Sequence, residues 1–140
     1  MIHVTGGVIT RRGKVLVMRR APGRSLAGMW EFPGGKMEAG ETPAVCLARE
    51  LDEELGIQAR IGELLWTGEH AYPDRTIRMY FLRVDGYHGR IRLQDHDAMQ
   101  WLNPDDLVSL DGLLPADLPF ARHLRDRSRH PAAGQCVTGT

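Results

Sequence analysis

A helix closed at both ends is written into Thr42 to Gly56, TPAVCLARELDEELG. Thr42 offers an N-cap hydroxyl, Pro43 takes the first helical position, where its missing N–H costs nothing, and Gly56 suits the left-handed residue that ends a helix. The spacing predicts a helix over 43–55. At about 100° per residue, Ala44, Ala48, Leu51 and Leu55 form one stripe, while Glu50, Glu53 and Glu54 gather on the opposite side. The fold must therefore supply an apolar surface for one face of this helix. The other face needs a reason to exist, because like charges at i, i+3 and i+4 repel and cost stability unless a cation sits among them. Asp52 projects elsewhere and reads as a solvated charge.

Carboxylate oxygens in a cluster suit hard cations such as Mg²⁺ or Mn²⁺, and Mg²⁺ commonly sits between a few carboxylates and substrate phosphates. Such an ion neutralises the charge that builds in phosphoryl transfer and can activate a water. Just before the helix, Gly34 and Gly35 let the backbone come close, so that a carbonyl of Gly34 could add a ligand, and Lys36 would put a cation near the phosphates. Cys46 projects towards the carboxylate side and reads as a packed thiol.

The rest of the 140-residue chain bounds what this helix can belong to. Its length suits one domain with a real core. With 18 Lys+Arg against 18 Asp+Glu, no overall field draws it to nucleic acid or an anionic membrane. The start, MIHVTGG, lacks the basic and apolar segments of a leader, and no apolar run approaches the roughly 20 residues of a membrane span, so a soluble, cytoplasmic protein is expected. Cys46 and Cys136 form neither a CxxC pair nor a disulfide framework. Residues 3–10 and 14–20 read as a hairpin across RRG, and WEF as a short strand before Pro-Gly-Gly. Residues 59–72, 76–87 and 90–93 read as further strands, with YPDR turning between the first two. Asn103-Pro104 and Pro115-Ala116-Asp117 each read as a helix start. Residues 129–140 read as a disordered tail behind a domain of residues 1–128. The order predicts an α/β sandwich with a mixed β-sheet.

From Gly35, five residues lead to Glu41, seven more lead to Arg49-Glu50, and Leu51, Glu53-Glu54 and Gly56-Ile57 complete the run. This resembles the Nudix box, G-x5-E-x7-R-E-U-x-E-E-x-G-U with U aliphatic, at every defined position. The resemblance implies an α/β/α sandwich with a loop-helix-loop catalytic motif, hydrolysing a nucleoside diphosphate linked to another moiety with Mg²⁺ or Mn²⁺. It also implies that Glu50, Glu53 and Glu54 are metal ligands, that Glu50 or Glu53 orients or deprotonates the attacking water, and that Glu41 and Arg49 form a structural pair.

WEFPGGK, RRAPG, YPDRTIRMYF and LLPADLP extend the similarity to the MutT-type nucleoside triphosphate pyrophosphohydrolases, over roughly residues 2 to 127. That likeness implies cleavage of a triphosphate to the monophosphate and pyrophosphate, with 8-oxo-dGTP as substrate and (d)CTP or a modified pyrimidine triphosphate as the alternative. A Nudix-fold binding module without chemistry is the rival of another class. By the same likeness Arg20 contacts phosphate, Arg75 lies on the base side in a mobile loop, and Asp95 stands where relatives carry a glutamate near the metals. Asp117 stands where the bacterial 8-oxo-dGTP enzymes have asparagine. An amide can donate and accept, an ionised carboxylate can only accept, and a protonated one can do both. A helix N-cap is the other role open to Asp117. The expected partner is the nucleotide alone, with no nucleic acid or membrane, on a monomer or homodimer.

Overall fold

The structure is a computed structural model and describes residues 1–130. The expectations placed on residues 131–140, including Cys136 and most of the expected tail, lie outside the described residues. Seven strands and three helices follow in order: β1 (Ile2–Val8), β2 (Thr10–Arg11), β3 (Lys14–Arg20), β4 (Trp30–Glu31), α1 (Pro43–Leu55), β5 (Gln58–Tyr72), β6 (Arg75–His88), β7 (His96–Leu102), α2 (Pro104–Val108) and α3 (Leu118–Arg129). One sheet has the order β1-β6-β5, with β1 parallel and β5 antiparallel to β6. The other centres on β3, which pairs antiparallel with β2, β4 and β7.

Alternation along the inner strands makes this a three-layer α/β/α sandwich. Val15 and Val17 of β3 and Ile77, Met79 and Phe81 of β6 pack with Leu107 of α2 and Phe120 of α3. Leu16, Met18, Leu82 and Val84 point the other way, onto Leu47, Leu51 and Leu55 of α1. Strands buried on both faces have no polar side to spare, which is why KVLVMRR carries an unbroken apolar run. The α1 bounds are those its caps predict: the Thr42 hydroxyl accepts from the Val45 N–H at 3.2 Å, and the Gly56 N–H donates to the Asp52 carbonyl. Leu51 is fully buried on the sheet-facing side. Leu51→Ala should cost about 3 kcal/mol by leaving a cavity between α1 and the sheet, read as a fall in urea midpoint with unchanged m; a loss below about 1 kcal/mol would contradict this packing.

Two sequence expectations need correction. The expected hairpin of residues 3–10 with 14–20 shrinks to Thr10 and Arg11 on Val15 and Lys14, turning through Arg12 (φ 52°) and Gly13 (φ 78°). The remainder, β1, crosses to the other sheet and lies parallel to β6. Residues 90–93 form no strand; they run past the end of α1, where the Arg92 N–H donates to the Leu55 carbonyl. The strand at this place in the chain is instead β7, which reads poorly because HDAMQWL has no β-branched residue. The last helix, α3, runs to Arg129. Among the described residues no helix is long and apolar enough to cross a membrane.

Candidate active site

The loop before α1 is held against β1 by three backbone hydrogen bonds: Gly7 N–H to Pro33 carbonyl at 2.6 Å, Thr5 N–H to Gly35 carbonyl at 2.8 Å, and Met37 N–H to His3 carbonyl at 2.9 Å. Two glycines make the approach possible. Gly34 has φ 150°, and a Cβ there would overlap the Thr5 carbonyl. A Cβ on Gly35 would fall among the carboxylate atoms of Glu50. The Gly35 carbonyl also accepts from the Thr5 hydroxyl at 3.2 Å and the buried Cys46 thiol at 3.5 Å, so Cys46 is packing.

This loop covers a flank of α1 that helical spacing alone leaves open. Glu54, expected with Glu50 and Glu53 on the carboxylate face, is only 8% exposed, and its Oε1 accepts the Gly34 N–H at 3.1 Å. Burial, reinforced by the charges of Glu31 and Glu50, pushes its carboxyl up to about 8. Burial likewise raises Glu50, whose Oε2 is buried without a hydrogen-bond partner. Glu53 remains 53% exposed at its side chain.

Arg49 supplies the cation among these acids. Its Nε and Nη2 donate to the two oxygens of Glu41 at 2.7 and 3.0 Å, and this fork holds the Glu41 carboxyl down at about 2. Nη1 reaches Glu53 at 2.9 Å and lies 3.7 Å from Glu50, while Nη2 also donates to the Lys36 carbonyl at 3.0 Å. One guanidinium thus ties helix to loop and offsets the repulsion along the acidic face.

A divalent cation fits this donor set: the oxygens are hard, Glu50 Oε2 is an orphaned buried acceptor, and burial of Glu54 leaves a raised carboxyl whose charge a nearby dication would favour. The carboxylates are not gathered into a finished cage. Among the described residues no three acidic, His or Cys side chains converge on one point, because Glu53 turns to Arg49 and Glu54 to Gly34.

The glutamates floor one end of a cleft of about 680 Å³ whose walls include Arg20, Arg24, Lys36 and Arg75, and whose far end is made by Tyr72, Leu114, Ala116 and Asp117. Every site residue expected from sequence lines this cleft except Glu41 and Asp95. Glu41 acts behind it on Arg49. Asp95 is not brought to the cleft: its side chain is exposed and lies outside it, and its carbonyl is occupied by the Ala21 N–H and Arg24 Nη1. Arg20 is in place but not free, since Nη1 meets both Glu31 oxygens at 3.0 Å and Nε donates to the Ser25 carbonyl at 2.7 Å. Arg75 lies over the Tyr72 ring, 5.6 Å from its centroid.

Asp117 is 3% exposed and starts α3, yet makes no side-chain cap; its Oδ2 accepts the Phe32 N–H at 3.0 Å, and burial pushes the carboxyl up to about 8. The N-cap role is thereby set aside. Sequence reasoning missed Glu31 and His96. The signal was present for Glu31, a charge between Trp30 and Phe32 in a short strand whose neighbours both face the core.

Chemically, the cleft joins a hard-cation end to basic walls and the buried carboxyl of Asp117. A family model described as NUDIX domain matches residues 1–124. The chain is 38% identical over 120 residues to the CTP pyrophosphohydrolase of Escherichia coli (strain K12), spanning 86% of this chain and 88% of that protein. It is 33% identical over 127 residues to the 8-oxo-dGTP diphosphatase of the same strain, spanning 89% and 96%. Among solved structures, the solution structure of the E. coli ORF135 protein matches with TM-score 0.82 at 36% identity over 94% of both chains. The crystal structure of MutT NUDIX hydrolase from Burkholderia pseudomallei matches with TM-score 0.74 at 28% identity, over 88% and 96%. A match that runs from β1 through α1 and its glycine loop into α3 settles the kinship: this chain belongs to the NUDIX domain family.

Proposed function

We propose that this Nudix hydrolase cleaves a nucleoside triphosphate to the monophosphate and pyrophosphate, with 8-oxo-dGTP as substrate. Nudix hydrolases need a divalent metal; here Glu50, Glu53, Glu54 and the Gly34 carbonyl would hold Mg²⁺ or Mn²⁺, which when bound neutralises phosphate charge and lowers the pKa of a water. Lys36 neutralises phosphate oxygens, and Arg75 flanks the nucleoside. A water attacks phosphorus, the α–β anhydride bond breaks, and the water's proton passes to a carboxylate oxygen of Glu50 or Glu53. Arg49 holds the acidic face, braced by Glu41. No nucleic-acid partner enters this reading, which places the enzyme in the cytoplasm as a monomer or homodimer.

The observation that carries the base assignment is Asp117. With Oδ2 engaged by the Phe32 N–H, a neutral carboxyl presents its hydroxyl to the cleft, as the amide nitrogen of an asparagine would. A donor there meets a guanine O6. Ionised, the same group only accepts, which suits the exocyclic amine of cytosine; the 38% identity to a CTP pyrophosphohydrolase favours this second reading.

Proton balance separates the two. The carboxyl is raised to about 8, so it is neutral below that pH and loses its donor above it. The ratio of kcat/KM for 8-oxo-dGTP over dCTP should fall as pH rises from 7 to 9, by about tenfold or more. Asp117→Asn should keep the ratio high and flat across that range. The ratio cancels titrations common to both substrates, including those at the metal end. A flat wild-type profile, or an asparagine variant that shifts towards dCTP, would overturn the base assignment; no metal-dependent pyrophosphate release from any triphosphate would overturn the reaction.

A further inference from the structure

The wall between the metal end and Asp117 carries Glu31, whose charge is felt by both Glu54 and Asp117. Its side chain is 14% exposed and is held from two directions: Arg20 Nη1 donates to Oε1 and Oε2 at 3.0 Å, and His96 Nε2 lies 2.8 Å from Oε2. Three strand ends meet to do this. Glu31 closes β4, Arg20 closes β3, and His96 opens β7 opposite Arg20, where the register of the two strands slips. A break in register re-aims side chains, here towards one carboxylate.

His96 is an expensive residue for this position. Its side chain is fully buried, and Nδ1 has no hydrogen-bond partner. A group needed only to fill space would be apolar, because an orphaned buried nitrogen has lost its hydrogen bonds to water without replacing them. What the ring provides is the Nε2 contact. A carboxylate has about four acceptor positions, two per oxygen. Arg20 and His96 together fill both on Oε2 and one on Oε1, which leaves a single Oε1 lone pair for the cleft.

We propose that His96 is a positioning residue that acts through Glu31, fixing this carboxylate so that its one open acceptor meets an N–H or O–H of the bound nucleoside. This rests on the reading of the cleft as a nucleotide site. Arg20 alone leaves the carboxylate free to rotate about the Arg20 Nη1 contact; the second donor removes that freedom, so the contact to the nucleoside is preorganised.

The test is a double-mutant cycle on the full chain. His96→Met, which fills the volume without a donor, should raise KM about tenfold and leave kcat within about twofold, while His96→Gln, whose amide can still donate, should restore KM to within about threefold. Glu31→Ala should raise KM comparably, and adding His96→Met to it should change nothing further. Calorimetric titration with 8-oxo-dGMP and dCMP should show the same pattern in Kd without turnover. If His96→Met does not fold, His96→Asn replaces it, since its shorter amide falls short of Glu31. Unchanged KM and Kd in a folded variant, no rescue by glutamine, or additive losses in the Glu31→Ala background would each overturn the proposal. A wild type that releases no pyrophosphate sinks the proposed function instead, and the monophosphate titrations still decide the role of His96.

Discussion

Glu53→Gln lowers kcat for metal-dependent pyrophosphate release by about three powers of ten or more, and moves the melting temperature of the metal-free protein by less than about 2 °C. The two halves of this result follow from one environment. The Glu53 side chain is 53% exposed, and its hydrogen bonds are with Arg49 Nη1, at 2.9 and 3.2 Å. An exposed i, i+4 pair contributes only about 0.3–0.5 kcal/mol, and Arg49 keeps its fork on Glu41 when Glu53 is neutralised. Folding hardly notices the change. Catalysis does, because an amide is a far poorer partner for a hard dication than a carboxylate, and three powers of ten correspond to about 4 kcal/mol of lost transition-state stabilisation. The control is Asp52→Asn on the same helix. Asp52 is exposed, is outside the cleft and accepts from Gln58 at 3.1 Å, so its neutralisation should leave kcat unchanged. Near-normal kcat for Glu53→Gln, or equal losses for both variants, would remove Glu53 from the metal platform.

The difference between these two acids was legible before any coordinates, because helical spacing is local. The same is true of the Thr42 and Gly56 caps, which fixed both ends of α1. What spacing could not see was the covering of Glu54. On a bare helix Glu54 shares a face with Glu50 and Glu53; it is buried because residues 33–35, tied to β1, lie over that flank. Pairings across long separations were similarly hidden. The parallel match of Ile2 with Ile77 has no local signature, so β1 read as the first arm of a hairpin it only feeds. Glu31 and His96 lie 65 residues apart, and neither residue type announces the other. Asp117 was noticed for its chemistry, yet its competing roles were separable only once its Oδ2 was seen on the Phe32 N–H of another segment. Asp95 is the opposite case, a position carried over by likeness to relatives whose side chain, here, is exposed and outside the cleft.

Gly34→Ala and Gly35→Ala, adjacent and chemically identical, should fail in different ways. At Gly34 the added Cβ overlaps a backbone carbonyl, that of Thr5, in a φ of 150° that L side chains rarely adopt. Neither atom belongs to a flexible side chain, so the loop must leave β1 and surrender the hydrogen bonds of Pro33, Gly35 and Met37. A loss of about 3 kcal/mol in stability is expected, together with loss of activity. At Gly35 the three atoms nearest the added Cβ are those of the Glu50 carboxylate, the end of a side chain that can turn away. The backbone stays, and displacing a carboxylate whose buried Oε2 has no hydrogen-bond partner relieves burial that already works against its charge. Gly35→Ala should therefore melt at or above the wild-type temperature without metal, yet need at least tenfold more Mg²⁺ for half-maximal activity, with kcat/KM down about a hundredfold. Melting curves with and without Mn²⁺ separate the cases: the wild type gains stability from the ion, and Gly35→Ala loses that gain while keeping its metal-free fold. Equal destabilisation by both substitutions would mean that the loop, and not the placement of Glu50, is what Gly35 protects; wild-type metal dependence in Gly35→Ala would mean that Glu50 does not need the position it holds here.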